Sequence, residues 1–173
     1  MSDEISIAPA RVDEWPKYKA LRLEALRTDP QAFGSAYEDE VAKADEDWIK
    51  TIRAASQPDA DILLIARHGE QWVGMAGAFF GKAQKRQHLA TIWGVYVNPQ
   101  YRGRGIGKRL LEAVLREVAG RPGILKVTLS VTTDQLAAIG LYQRLGFNVI
   151  GRATKELKVG EEFYDEFFME KFL

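Results

Sequence analysis

Apolar residues along this chain recur in two rhythms, one of period two and one near 3.6, and the switches between them mark out its elements. Ile5 and Ile7 alternate with polar or small neighbours and stop at Pro9, which predicts a short first strand. Trp15, Tyr18, Leu21 and Ala25 then fall at helical spacing. A helix is expected from Asp13, as its N-cap, to about Arg27, with Pro16 tolerated in the first turn and Asp29-Pro30 as the stop. Residues 31–38 show no clean period. A second helix over 45–53 would bury Trp48, Ile49 and Ile52, and Ser56-Gln57-Pro58-Asp59 marks the exit from it.

Residues 61–67 and 71–81 form the next pair of strands, joined by a turn at His68-Gly69-Glu70. The small residues Gly74, Ala76, Gly77 and Ala78 would let a neighbouring helix or ligand approach. A basic, polar loop over 82–88, with His88 expected at the surface, leads to a strand ending at Val97. Its stretch 92–97 is apolar and rich in β-branched and aromatic residues, and Asn98-Pro99 ends it. From Ile106 the spacing of Leu110, Leu111, Val114, Leu115 and Val118 predicts a helix with one buried face. Arg121-Pro122-Gly123 turns the chain into a strand over 124–131, in which Val127, Leu129 and Val131 alternate with polar residues. A helix with Asp134 as its cap and Gly146 as its stop follows. Strands at 147–150 and 163–172, with a turn at 158–162, complete the pattern. The fold class is α/β with α+β character, without repeat or low-complexity segment.

The chemistry is concentrated in Arg102-Gly103-Arg104-Gly105-Ile106-Gly107, between the strand ending at Val97 and the helix from Ile106. Glycines at a helix start reach conformations closed to other residues and let a ligand meet the main chain. The first N–H groups of a helix lack partners within it and, with the helix dipole, attract anions. Arg102, Arg104 and Lys108 add positive charge, so the loop has the makings of a phosphate or pyrophosphate cradle. A Walker loop is excluded because positions 102 and 109 are both Arg, and a dinucleotide fingerprint because position 108 is Lys. The spacing that fits is Arg-x-x-Gly-x-Gly.

That spacing, directly after Val95-Tyr96-Val97-Asn98-Pro99, resembles the coenzyme A signature of the GNAT acetyltransferase superfamily. Ala138-Ile139-Gly140-Leu141-Tyr142 followed by Leu145-Gly146-Phe147 resembles the helix that closes the coenzyme A site in the same enzymes. The likeness is strongest from Ile62 onward, and the segment 21–40 looks like the variable substrate side of bacterial members. It implies a mixed central sheet of six or seven strands flanked by helices, with a splayed strand pair holding coenzyme A. It also implies one domain over 1–173, in which 1–60 give the substrate side and 61–173 the acetyl-CoA core. Val95, Tyr96 and Val97 would pair with the pantetheine arm, and the Val97 N–H would polarise the thioester carbonyl. The pyrophosphate would sit on Arg102, Gly103, Arg104, Gly105, Ile106, Gly107 and Lys108. Tyr142 would protonate the departing thiolate; without the resemblance it would be assigned to the core. Two positions depart from the family pattern. Gln135 stands where an Asn is usual, and the strand before Val97 lacks the frequent carboxylate base, leaving as alternatives Glu38, Glu40, Asp165 or Glu166, a water chain, or an amine that arrives neutral. The expected activity is transfer of an acetyl group from acetyl-CoA to a primary amine of a small molecule or peptide; the alternative is a non-catalytic acyl-CoA-binding module.

Composition narrows this further. Lys plus Arg number 24 and Asp plus Glu 24, so no global field favours nucleic acid or an anionic membrane. The absence of cysteine excludes disulfides, thiolate metal sites and a cysteine nucleophile. The histidines, His68 and His88, lie far apart without carboxylates at ligand spacing, and no metal is expected. An acidic start without an apolar run, and no stretch long enough to span a bilayer, give cytoplasmic as the expected location. A homodimer stays open.

Overall fold

The computed structural model describes residues 4–57 and 60–173; the Pro58-Asp59 part of the expected helix exit lies outside the described residues. Its strands are β1 (Ile5–Pro9), β2 (Ile62–His68), β3 (Gln71–Phe80), β4 (Leu89–Val97), β5 (Lys126–Thr132), β6 (Asn148–Val159) and β7 (Glu162–Phe172). Its α-helices are α1 (Trp15–Thr28), α2 (Tyr37–Val41), α3 (Asp45–Ala55), α4 (Ile106–Ala119) and α5 (Leu136–Arg144). The strands form one sheet in the order β1-β2-β3-β4-β5-β7-β6. Every neighbouring pair is antiparallel except β4 and β5, which α4 connects as a crossover.

Each face of the sheet carries its own core. Ile106, Leu110, Leu111, Val114 and Val118 of α4 pack with Leu64, Ala66, Val127, Leu129 and Met169, and Ile139, Tyr142 and Phe147 extend this cluster. On the other face Tyr18, Leu21, Ala25 and Leu26 of α1, with Trp48 and Ile52 of α3, pack on Leu63, Ile65, Met75 and Tyr96. Alternate residues of β2 thus enter opposite clusters, which is why that strand is apolar throughout.

β4 carries a bulge. Met75 faces Tyr96 and Gly77 faces Trp93, so Gly94 and Val95 share the place of one residue opposite Ala76. Gly94 has φ +64°, a left-handed value that suits glycine. The bulge turns Trp93 and Tyr96 to the α1 face and Val95 and Val97 to the α4 face.

Several expectations need correction. Asp13 does not cap the first helix: it pairs with Arg11 in a 3-10 turn, Val12–Glu14, and Glu14 is the N-cap of α1. Asp134 makes no side-chain cap either, and Gln135 is the N-cap residue of α5. Ile49 and Trp15 are only half-buried. The segment without a period holds a second 3-10 turn, Pro30–Ala32, and the start of α2. The last two strands form a hairpin far longer than 147–150 and 163–172, and they turn at Gly160-Glu161.

Candidate active site

The site begins where the sheet comes apart. β4 and β5 pair only at Leu89–Lys126, Ala90–Val127 and Thr91–Thr128, and the two threonine hydroxyls meet at 2.9 Å at the fork. Beyond it the strands diverge. The Asn98 N–H donates to the Val73 carbonyl of β3 at 2.9 Å. Successive main-chain groups of a strand point to opposite edges, so the N–H and C=O of Val97, and those of Val95, face the open side. Tyr96 differs from its two neighbours: its main chain faces β3 opposite Met75, and its buried ring turns to the α1 face. There its hydroxyl donates to Glu24 Oε1 at 2.7 Å.

The glycine loop sits at the outer end of this gap. Gly103 and Gly105 have φ +77° and +74°, and a Cβ at either would meet no atom within 4 Å. Gly105 is the N-cap of α4 and no side chain caps the helix, so its first N–H groups lack a side-chain acceptor. A groove of about 470 Å³ runs from this loop along the open edge. Val95, Tyr96, Val97, Arg102, Gly103, Gly105, Ile106, Gly107 and Lys108 line it from one side, and Gln135, Ala138, Leu141 and Arg144 from the other. Arg104 is not in its wall; its guanidinium lies over the Tyr101 ring at 5.1 Å. Arg102 is already engaged, donating from Nε to the Val97 carbonyl at 2.9 Å and pairing with Asp29. Lys108 pairs loosely with Glu112 at 3.6 Å, and both are largely exposed.

The inner end of the gap is a cavity of about 90 Å³ lined by Trp93, Gly94, Val95, Ser130, Thr132, Gln135, Ala138 and Tyr142. Tyr142 is 5% exposed and packs edge-to-face on Phe147, with ring centroids 6.1 Å apart. Its hydroxyl makes no hydrogen bond among the described residues, and burial pushes it well above the ordinary tyrosine range. It therefore keeps its proton through neutral pH. Thr132 is 1% exposed, and its hydroxyl is buried without a partner. A buried polar atom left alone in a native fold is costly, and a ligand in this cavity would relieve it.

On the α1 face a pocket of about 540 Å³ opens between Leu26–Glu38 and the tip of the β6–β7 hairpin. Glu38 lines it. Glu40 is buried and bound to Lys43 at 2.8 Å. Asp165 accepts from Arg152 and from the Lys155 N–H, and these bonds hold its carboxyl below the usual range. Glu166 accepts from the Ser130 hydroxyl at 3.2 Å. Ser130, Thr132, Arg144 and Glu24 stand outside every motif in the sequence. Only Arg144 left a local signal, as the cation in the last turn of the helix ending at Gly146.

Residues 18–147 match the family model described as the acetyltransferase (GNAT) family. The chain belongs to that family. The [ribosomal protein bS18]-alanine N-acetyltransferase of Escherichia coli K12 is 41% identical over 102 residues, covering 56% of this chain and 68% of that protein. The Salmonella typhimurium enzyme of the same name is 31% identical over 107 residues, covering 58% and 72%. A GNAT acetyltransferase from Streptococcus pneumoniae superposes with a TM-score of 0.87 at 23% identity, covering 98% and 99% of the two chains. A Salmonella typhimurium acetyltransferase solved with acetyl-CoA gives 0.82 at 20%, covering 98% and 94%. These two structures establish the fold. This GNAT chain is an acetyl-CoA-dependent N-acetyltransferase, and a binding module without turnover is not favoured. The open space at Gly103 and Gly105, the free edge of Val95 and the lone Thr132 hydroxyl fit that donor. Among the described residues no group of three or more His, Cys, Asp or Glu side chains could hold a metal ion, and no helix is long and apolar enough to cross a membrane.

Proposed function

We propose that this GNAT enzyme acetylates the α-amine of a peptide or protein, with Tyr142 as the proton donor to the leaving sulfur. The observation that carries the reading is the fork at Thr91–Thr128. It frees one edge of β4 between a glycine-lined helix start and a buried, protonated tyrosine. Bound acetyl-CoA supplies an activated acetyl thioester. The α4 N–H groups at Gly105–Gly107 hold its pyrophosphate, and Val95 offers main-chain groups to the pantetheine arm. Val97 has its N–H toward the same edge, where it can donate to the acetyl oxygen. Its carbonyl is held by Arg102, so pairing through that atom requires Arg102 to release it. Gln135 reaches both the groove and the inner cavity, so it can still offer an amide to the arm.

The acceptor enters from the pocket between Leu26–Glu38 and the hairpin tip. The substrate side is thus shared between the first sixty residues and Leu157–Gly160, rather than confined to the former. A peptide is favoured because relatives 41% identical over 102 residues are named for acetylating a ribosomal protein's alanine. Thiol release from acetyl-CoA, measured with Ala-initiated peptides, an N-blocked lysine peptide, a polyamine and an aminoglycoside, tests this. Fastest turnover is expected with the Ala-initiated peptides. Turnover of small amines alone would remove the peptide assignment, and no turnover with any amine would remove the enzyme reading.

A further inference from the structure

The family's frequent strand carboxylate is missing here, and the acceptor amine is an ammonium at neutral pH. Something must take its proton. Of the four carboxylates considered from the sequence, Glu40 is tied to Lys43, Asp165 is tied to Arg152, and Glu38 is an exposed residue of the outer pocket. Glu166 is placed differently. It pairs with Thr132 across β5–β7, so both side chains share the α1 face of the sheet. Ser130, two residues along β5, lies on the same face and donates to Glu166 at 3.2 Å. Ser130 also lines the inner cavity with Tyr142 and the partnerless Thr132 hydroxyl. The same face continues through Tyr164 and its partner Leu157 to the acceptor pocket.

Building on the N-acetyltransferase reading, we propose that Glu166 is the proton acceptor for the amine, working through the Ser130 hydroxyl. An ammonium N–H bond breaks and its proton passes to Ser130 Oγ. The Ser130 hydroxyl proton moves to the Glu166 carboxylate. The freed nitrogen lone pair forms the C–N bond to the acetyl carbon, the C–S bond breaks, the thiolate takes the Tyr142 proton, and the second proton that the nitrogen sheds on becoming an amide restores the tyrosine hydroxyl. The surroundings suit Glu166 for this. Partial burial pushes its carboxyl above the ordinary glutamate range, Glu156 of β6 acts in the same direction, and the Ser130 hydroxyl pulls it back. Asp165 is engaged by Arg152 and by the Lys155 main-chain N–H, Asp165 and Arg152 lying on the opposite face, and the Lys155 ammonium lies over the Phe163 ring at 5.4 Å. Its β6 partner is Ala153, and the Pro30–Ala32 turn packed on β5 and β6 carries no titratable side chain.

The test compares wild type, E166Q and S130A, using whichever acceptor of the amine panel turns over fastest. kcat/KM is followed against pH, and the Glu166 carboxyl is titrated by carbon NMR in wild type and S130A. In the wild type the acid limb of the rate profile should coincide with the Glu166 titration. S130A removes the bond that lowers this pKa, so the Glu166 titration should move to higher pH, and because the relay is cut the rate should fall and the limb disappear, as in E166Q. E166Q should lose the limb and slow by at least about tenfold, with acetyl-CoA affinity unchanged. A carboxylate that merely ties β5 to β7 would lower the melting temperature of both variants and leave the limb in place. That outcome, or a limb that follows the acceptor's own amine, overturns the assignment of Glu166 alone. A wild type that releases no thiol with any amine overturns the acetyltransferase reading as well.

Discussion

Tyr142 has two tasks that pull in different directions. Its ring belongs to the α4-side core, against Phe147, while its hydroxyl borders the cavity where the sulfur would leave. Phenylalanine keeps the first task and removes the second. Tyr142→Phe is expected to lower kcat by at least about tenfold, with little change in acetyl-CoA affinity and an unchanged melting curve. Steady-state kinetics on that variant check this, and an intact kcat would leave Tyr142 as packing only. Gly105 presents the opposite case, because no atom blocks a side chain there. Its left-handed backbone costs other residues about 1–2 kcal/mol, and β-branched ones more. A valine would also fill the space over the first α4 N–H groups. Gly105→Val should weaken acetyl-CoA binding at least about tenfold, read by calorimetric titration, while unfolding stays cooperative. Wild-type affinity would remove the cradle assignment.

Elements written in local spacing were legible from the sequence, and those set by distant partners were not. α4 announced itself through Leu110, Leu111, Val114 and Val118, and its glycine loop through six consecutive residues. β6 did not: Lys155, Glu156 and Lys158 interrupt its alternation, Lys155 has φ +54°, and most of the strand is exposed. Asp13 has the composition of a cap, but Arg11 binds its carboxylate first. No spacing rule reveals that Glu166 meets Ser130, because β7 reaches β5 only after the chain has made α5 and β6. The tie between α1 and the end of β4 was equally hidden. Glu24 Oε1 accepts from the Tyr96 hydroxyl at 2.7 Å and from Asn98 Nδ2 at 2.6 Å. Glu24→Ala strands the Asn98 amide and leaves the Tyr96 hydroxyl only Thr28 Oγ1 at 3.5 Å, so a loss of about 1–3 kcal/mol in stability is expected from urea unfolding. Because this tie fixes the strand end that feeds the glycine loop, acetyl-CoA affinity should fall as well. An unchanged urea midpoint would show that solvent satisfies both donors.

For the molecule as a whole, buried tyrosines on both sides of the sheet set how it meets alkali, Tyr142 on the α4 side being raised by burial as well. Tyr18 and Tyr96, on the α1 side, are both pushed up to about 12 from 10.0, chiefly by burial. A folded-state pKa above the unfolded one means that the protonated form favours the fold. This stability is complete below about pH 10 and is lost as pH rises toward 12. Urea midpoints should therefore fall across that window, and Tyr18→Phe should make the fall shallower; a parallel curve would assign it to other groups. The strand order carries a consequence of another kind, in time rather than in space. β7 follows β6 in the chain yet lies between β5 and β6, so β6 has no place on the sheet until β7 exists. The two can first close on each other through their short turn, a local event, and only then zip onto β5 across a long loop, which is slow. Pulsed hydrogen exchange during refolding should show the β2–β3 amides protected before those between β5 and β7. Until that docking is complete, Ser130 has no Glu166 beside it and the pocket at Leu26–Glu38 lacks its hairpin wall. On that order a nascent chain would complete α4 and its glycine loop before the hairpin is in place, and it is expected to release no thiol until β7 has docked.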